Sequence, residues 1–140
     1  MASIFTRIIR GELPGRFVWK DEKAVAFLTI APIRKGHTLV VPREEIDHWL
    51  DLPPELARHL TDVAQSVGKA IQQAFQPVKV GMTIAGLEVP HVHLHLLPIW
   101  DLQDLNFANQ QKDPDPAELD DAAEKIRAAL RELGYPQVAE

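Results

Sequence analysis

Residues 90–100 read PHVHLHLLPIW, with His91, His93 and His95 at every second position and Val92, Leu94 and Leu96 on the alternate register. An alternation of period two is the pattern of a β-strand, in which successive side chains point to opposite faces. The three imidazoles are therefore expected on one face, neighbours about 6.5–7 Å apart, two strand rises. The aliphatic residues between them face the other way, where burial stabilises by about 1.5–3 kcal/mol each. The expectation is a stiff strand, anchored by its apolar half and presenting its imidazole half outward.

Elements on either side define the fold class. Residues 3–9 (SIFTRII) carry helical spacing with Ser3 as cap, and GELPG at 11–15 breaks the chain. RFVWKD and AVAFLTI read as two strands joined by a turn near 21–23, 31–36 as a loop, and HTLVVP at 37–42 as a third strand. Leu56, Leu60, Val63, Val67, Ile71 and Ala74 form a helical stripe. Pro53 and Pro54 stand where a helix start accepts proline, and the helix is expected to end at Gln76 and Pro77. Residues 78–86 read as a fourth strand, and the histidine segment is the fifth. Residues 101–115 read as a polar loop. A second long helix follows, with Asp115 as cap, Glu118 in a capping box, an apolar face of Leu119, Ala123, Ile126, Leu130 and Leu133, and Gly134 as left-handed exit. The order predicts an α+β domain: a five-stranded, mainly antiparallel sheet with two long helices.

With 140 residues, the chain suits one domain, a core over 3–100 followed by an acidic loop and helix over 101–140. Residues 1–100 hold eleven Lys and Arg against ten Asp and Glu, whereas residues 101–140 hold four against ten. No basic stripe is present, so a nucleic-acid polymer is not an expected partner, while a small anion remains one. The sequence has no cysteine, which excludes disulfides and thiolate metal sites. No apolar run reaches the ~20 residues of a membrane span, and the N-terminal segment is too charged for a secretory signal. A cytoplasmic location and no membrane partner are expected.

Chemically, three imidazoles in alternation admit three roles. They can be solvated or core-satisfied, they can ligate a metal such as Zn²⁺, or one can attack phosphorus as a neutral nucleophile while its neighbours stabilise charge. Spacing alone leaves the last two close.

The chain resembles the histidine-triad (HIT) family of nucleotide hydrolases and transferases. HVHLHLL matches the family's His-x-His-x-His-x-x signature, and SIFTRIIRGELP, AVAFLTIAPIRKGHTLVVP and AGLEVPHVHLHLLP resemble its other segments in the same order. The resemblance implies His93 as nucleophile on a nucleotide's α-phosphate, His91 and His95 beside the phosphate, and His37 near the leaving group. It implies a base, a purine by preference, among Phe5, Ile8, Phe27, Ile30 and Leu39, with Thr29 toward the ribose. Gly86, Leu87, Glu88 and Val89 would form the loop before the triad. The implied reaction is cleavage of a nucleoside phosphoramidate or dinucleoside polyphosphate through a nucleotidyl-histidine, without a cofactor. The alternatives are a non-hydrolytic nucleotide sensor or adaptor and a His-ligated metal enzyme.

Departures from the family pattern are specific. Ser3, Thr6 and Glu45 stand at positions that help bind a structural zinc in many relatives, so no zinc is expected. Thr29 replaces an acidic ribose partner. Glu88 brings a carboxylate toward a phosphate site. His48 and His59 match no family position and are expected at the surface. The last forty residues add little to the resemblance. Relatives usually form sheet-extended two-fold dimers, which makes a homodimer the expected assembly.

Overall fold

The computed structural model describes all 140 residues. The chain runs α1 (Ile4–Ile9), β1 (Phe17–Lys20), β2 (Ala24–Leu28), β3 (Thr38–Pro42), α2 (Pro54–Phe75), β4 (Lys79–Thr83), β5 (Leu94–Ile99) and α3 (Pro116–Glu132). Short 3-10 turns occupy Trp49–Asp51, Leu102–Leu105 and Phe107–Asn109. The five strands form one sheet in the order β1-β2-β3-β5-β4, every pair antiparallel. No helix is long and apolar enough to cross a membrane.

Both long helices cover one face of the sheet. Ala24, Ala26 and Leu28 of β2, Val40 of β3, and Leu94 and Leu96 of β5 meet the stripes of α2 and α3 there. The opposite face carries a smaller cluster of Phe5, Val25, Phe27, Leu39 and Val41. Strand β2 is buried on both faces, which is why AVAFL reads as a continuous apolar run. This lightly covered second face is where a ligand can enter.

Ser3 caps α1 by accepting from the Thr6 N–H at 3.0 Å, and Asp115 caps α3 from the Ala117 N–H. Glu118 makes no capping box; it pairs with Lys35 instead. Leu133, expected on the apolar face of α3, is exposed at the helix end. The histidine strand is shorter than the alternation predicts, because β5 starts at Leu94 and leaves His91, Val92 and His93 as an extended lead-in. Pro98 is tolerated in β5 because pairing with β3 reaches only Leu96, beyond which β4 alone pairs.

Candidate active site

The lead-in to β5 is held by both backbone and side chains. The Val92 N–H donates to the Ile46 carbonyl at 2.7 Å, and Val92, Leu94 and Leu96 sink into the main core. The alternation then turns all three imidazoles to the other face. They do not stand out in water: His91 is fully buried, and His93 and His95 are 6% and 7% exposed.

Hydrogen-bond partners determine where each proton sits. Nε2 of His91 lies 2.8 Å from the Pro42 carbonyl, which only accepts, so Nε2 carries the hydrogen. Its Nδ1, a bare lone pair, accepts from the Ser3 hydroxyl at 2.7 Å. Nδ1 of His93 donates to the His91 carbonyl at 2.8 Å, which leaves Nε2 of His93 an unprotonated lone pair. In His37, Nδ1 accepts from the Ile33 N–H at 3.1 Å. Nε2 of His37 must then donate to Nδ1 of His95, 2.9 Å away, and the hydrogen of His95 sits on Nε2.

All four rings are held neutral. Burial pushes His37 down to about 3, with His95 and His93 adding like-charge repulsion. Burial, then His93, pushes His95 down to about 4. His91 and His93 are also lowered chiefly by burial. For His93 the His91 carbonyl and the charge of Glu88 act in the opposite direction. A neutral imidazole with a free nitrogen is a competent nucleophile.

His93 and His95 both line a cavity of about 460 Å³ on the second face of the sheet. Phe5, Ile8, Phe27 and Leu39 supply an apolar wall; Phe5 stands edge-on to His93 with ring centres 4.8 Å apart. Thr29 and Ile30 form a second side, and Gly86, Leu87, Glu88 and Val89 a third. All ten residues expected around a ligand thus meet in one cavity. Ile30 and Leu87 are 73% and 94% exposed, large apolar groups left at its rim. The Thr29 hydroxyl accepts from the Ala31 N–H. Gly86 adopts φ +74°, a conformation that L side chains rarely take. His91 and His37 do not line the cavity; they are hydrogen-bonded to His93 and His95 behind it.

Two cavity residues outside the expected set, Phe107 and Gln110, come from the segment read as a polar loop. Phe107 meets His95 edge-on with ring centres 4.8 Å apart. Asp101-x-x-Asp104 forms a capping box, a local turn signal that does not say where the segment docks. His48 is exposed and caps the turn at Trp49–Asp51. His59 is half-buried, 2.9 Å from Asp21, rather than a free surface residue.

Ser3, Thr6 and Glu45 do meet at His91. One oxygen of Glu45 accepts from the Ser3 N–H at 2.7 Å and from the Thr6 hydroxyl at 2.6 Å. Those bonds, with the Thr6 donor first, hold the Glu45 carboxyl down to about 2. Of two hydroxyls, one carboxylate and one imidazole, only two are of the thiolate, imidazole or carboxylate kind, short of the four that a closed structural zinc site takes. No group of three or more His, Asp or Glu residues is arranged to hold a metal ion. The hydrogen bonds themselves tie α1 to the triad.

The sequence matches the HIT domain model over residues 10–101. The chain belongs to the HIT family. It is 35% identical over 100 residues to Protein hit of Bacillus subtilis, covering 68% of this chain and 69% of that protein. It is 33% identical over 99 residues to an adenosine 5'-monophosphoramidase of Schizosaccharomyces pombe, covering 70% of this chain and 74% of the relative. In three dimensions it is similar to a Zn-bound histidine triad family protein from Mycobacterium smegmatis, with TM-score 0.82 and 29% identity over 95% of this chain and 96% of that one. At the level of the HIT family, these likenesses support a nucleotide hydrolase or transferase with a small nucleotide ligand.

Proposed function

We propose that this HIT protein hydrolyses a nucleoside 5'-phosphoramidate or a dinucleoside polyphosphate at the α-phosphate, through a nucleotidyl group on His93. The observation that carries the reading is the bare Nε2 of His93, on a neutral ring that lines a largely apolar cavity. Its volume of about 460 Å³ lies within the range of small-molecule sites. A purine fits the wall of Phe5, Phe27 and Leu39 through stacking and apolar contact.

In the first step the Nε2 lone pair forms the N–P bond, and the bond from phosphorus to the leaving nitrogen or oxygen breaks. The leaving group departs with that electron pair, an amine taking up a proton as it goes. The Nε2–H of His95 donates to the phosphoryl group and stabilises its developing charge. Water then attacks phosphorus, the Nε2–P bond breaks with its electron pair returning to Nε2, and the proton that water loses replaces the one taken by the leaving group, so the nucleotide leaves and His93 is neutral again. Adenosine 5'-phosphoramidate, with AMP release followed by chromatography, tests the reading. Wild type should turn over and His93→Ala should lose at least about a thousandfold; equal rates remove His93 as nucleophile.

A nucleotide sensor is the second reading, favoured by one observation: the Thr29 hydroxyl is already committed to the backbone of its own turn. Calorimetry with AMP beside the turnover assay separates the two, since tight binding without product favours the sensor. The assembly we propose is a two-fold dimer paired through β4, the sheet edge that carries the exposed Met82 beside exposed Val78. Light scattering at twice the chain mass supports it. We place the protein in the cytoplasm.

A further inference from the structure

The segment after β5 contains a buried carboxylate that the reaction does not use. Asp104 is 5% exposed. It accepts from Nε of Arg34 at 2.7 Å, from the Trp100 N–H at 2.7 Å and from the Asp101 N–H at 3.3 Å. The Arg34 guanidinium lies 4.8 Å over the Trp100 ring. Further along, the Gln110 amide donates to the Ala31 carbonyl and the Gln111 N–H to the Pro32 carbonyl, both at 2.9 Å. Residues 101–111 are therefore latched at both ends to the 31–34 loop. That same loop supplies the Ile33 N–H that orients His37.

Between the two latches sits Phe107. Its ring is edge-on to His95, with centres 4.8 Å apart, and to His37, at 6.4 Å. Asp104, Gln110 and the Gln111 N–H dock the strap, Asp101 and Asn106 cap its own turns, and what it turns toward the imidazole pair is the Phe107 ring. We propose that Phe107 is a positioning residue of the active site: latched through Asp104 and Arg34, its ring seals the His37–His95 hydrogen bond from water and keeps the free N–H of His95 toward the cavity.

The physical reason is competition. Water admitted to the Nε2–Nδ1 contact offers both rings another partner, and His95 can then turn or change tautomer and present a lone pair instead of a donor. Burial is the first cause of the neutral state of both rings, and Phe107 supplies part of that burial. The groups facing the pair are His93 and each other. The charged side chains that line the cavity are Arg16 and Glu88, and Arg34 and Asp104 of the latch pair with each other. Removing Phe107 thus changes solvation and leaves every one of these charges in place.

The test is a pH titration of the ¹⁵N-labelled histidines of the full chain by NMR, with tautomers read from the ring-nitrogen shifts. In wild type, His37 and His95 should stay neutral through pH 5 with their hydrogens on Nε2. Phe107→Ala should raise the midpoint of at least one ring by a pH unit or more, or mix its tautomers. Phe107→Leu should restore most of the wild-type behaviour. Asp104→Asn, which leaves Phe107 present and loosens its mount, should give a smaller shift in the same direction and carries the test if Phe107→Ala does not fold. Superimposable titrations of wild type and the folded variants, or wild-type rings titrating near 6.5, overturn the proposal. The titration needs no substrate, so its outcome is independent of whether the proposed reaction occurs. Where wild type does turn over, the acid limb of kcat/KM should move upward in Phe107→Ala.

Discussion

Nε2 of His37 lies 2.9 Å from Nδ1 of His95, and the direction of that hydrogen bond is set one step earlier by the Ile33 N–H on the far side of His37. Proton order runs one way, from backbone to His37 to His95 to cavity. His37→Ala should therefore do two things. It leaves the Ile33 N–H without its acceptor, a loss of about 1–3 kcal/mol in stability, readable by urea denaturation. It also frees the His95 tautomer, so kcat/KM for an adenosine phosphoramidate should fall at least about tenfold, an effect equal to about 1.4 kcal/mol. AMP affinity by calorimetry should change much less.

Ser3 has two roles that a cap alone does not explain: it accepts from the Thr6 N–H and donates to His91. Ser3→Ala removes both and leaves Nδ1 of a fully buried ring with only the Thr6 hydroxyl, 3.4 Å away and donating to Glu45. The expected destabilisation is about 1–3 kcal/mol. The Michaelis constant for the nucleotide should rise, because α1 carries Phe5 and Ile8 into the cavity. Ser3→Thr, which keeps the hydroxyl, should recover most of the stability in the same denaturation experiment.

Gly36 precedes His37 at φ +102°, and a Cβ there would sit 2.6 Å from Cε2 of Phe75. Both the backbone conformation and the contact oppose any side chain. Gly36→Ala should destabilise by about 1–3 kcal/mol. It should also move His37, seen as shifted ring resonances in His37 and His95.

Stability should fall in acid. In the unfolded chain imidazoles take up a proton near pH 6.5, while in the folded chain His37 and His95 resist to about 3 and about 4. Between these values the unfolded chain binds more protons, so each ring removes about 1.4 kcal/mol of stability per pH unit as pH drops. Above about pH 7 neither ring contributes a slope. Carboxyl groups lowered in the fold, Glu45 and Asp104, add a loss of the same sign once pH falls through their own range. Denaturation curves at pH 7.5, 6, 5 and 4.5 check this, and a flat profile between 6 and 4.5 contradicts the neutral pair. The acid limb of turnover should lie below 6.5, since burial lowers His93 as well as His37 and His95 in the free enzyme.

Much of this was legible in the chain. The alternation at 91–96 carried the sidedness of the triad, and the stripes at 56–74 and 119–130 carried the helical layer, because burial on one face leaves a period in the sequence. The ten cavity residues came from the likeness to a family, not from periodicity; Ile30 and Leu87 at the rim look like any exposed apolar residue. Tautomers were not legible, since they depend on which carbonyl or N–H meets each ring. Nor was the strap: Phe107 reads as one aromatic in a polar stretch, and only the docking of Asp104 on Arg34, 70 residues away, brings it to His95. Glu45 was noticed for what it replaces, whereas its bonds to Ser3 and Thr6 are set by tertiary contact.

The central claim is that Nε2 of His93 bonds to phosphorus. Rapid quenching of wild type with adenosine 5'-phosphoramidate, followed by digestion and mass spectrometry under non-acidic conditions, tests it directly. A transient adenylyl adduct on the peptide that carries His93, localised to that ring and missing from His93→Ala, is the result expected here. Product release with no adduct at any quench time, or an adduct on a different residue, would contradict it.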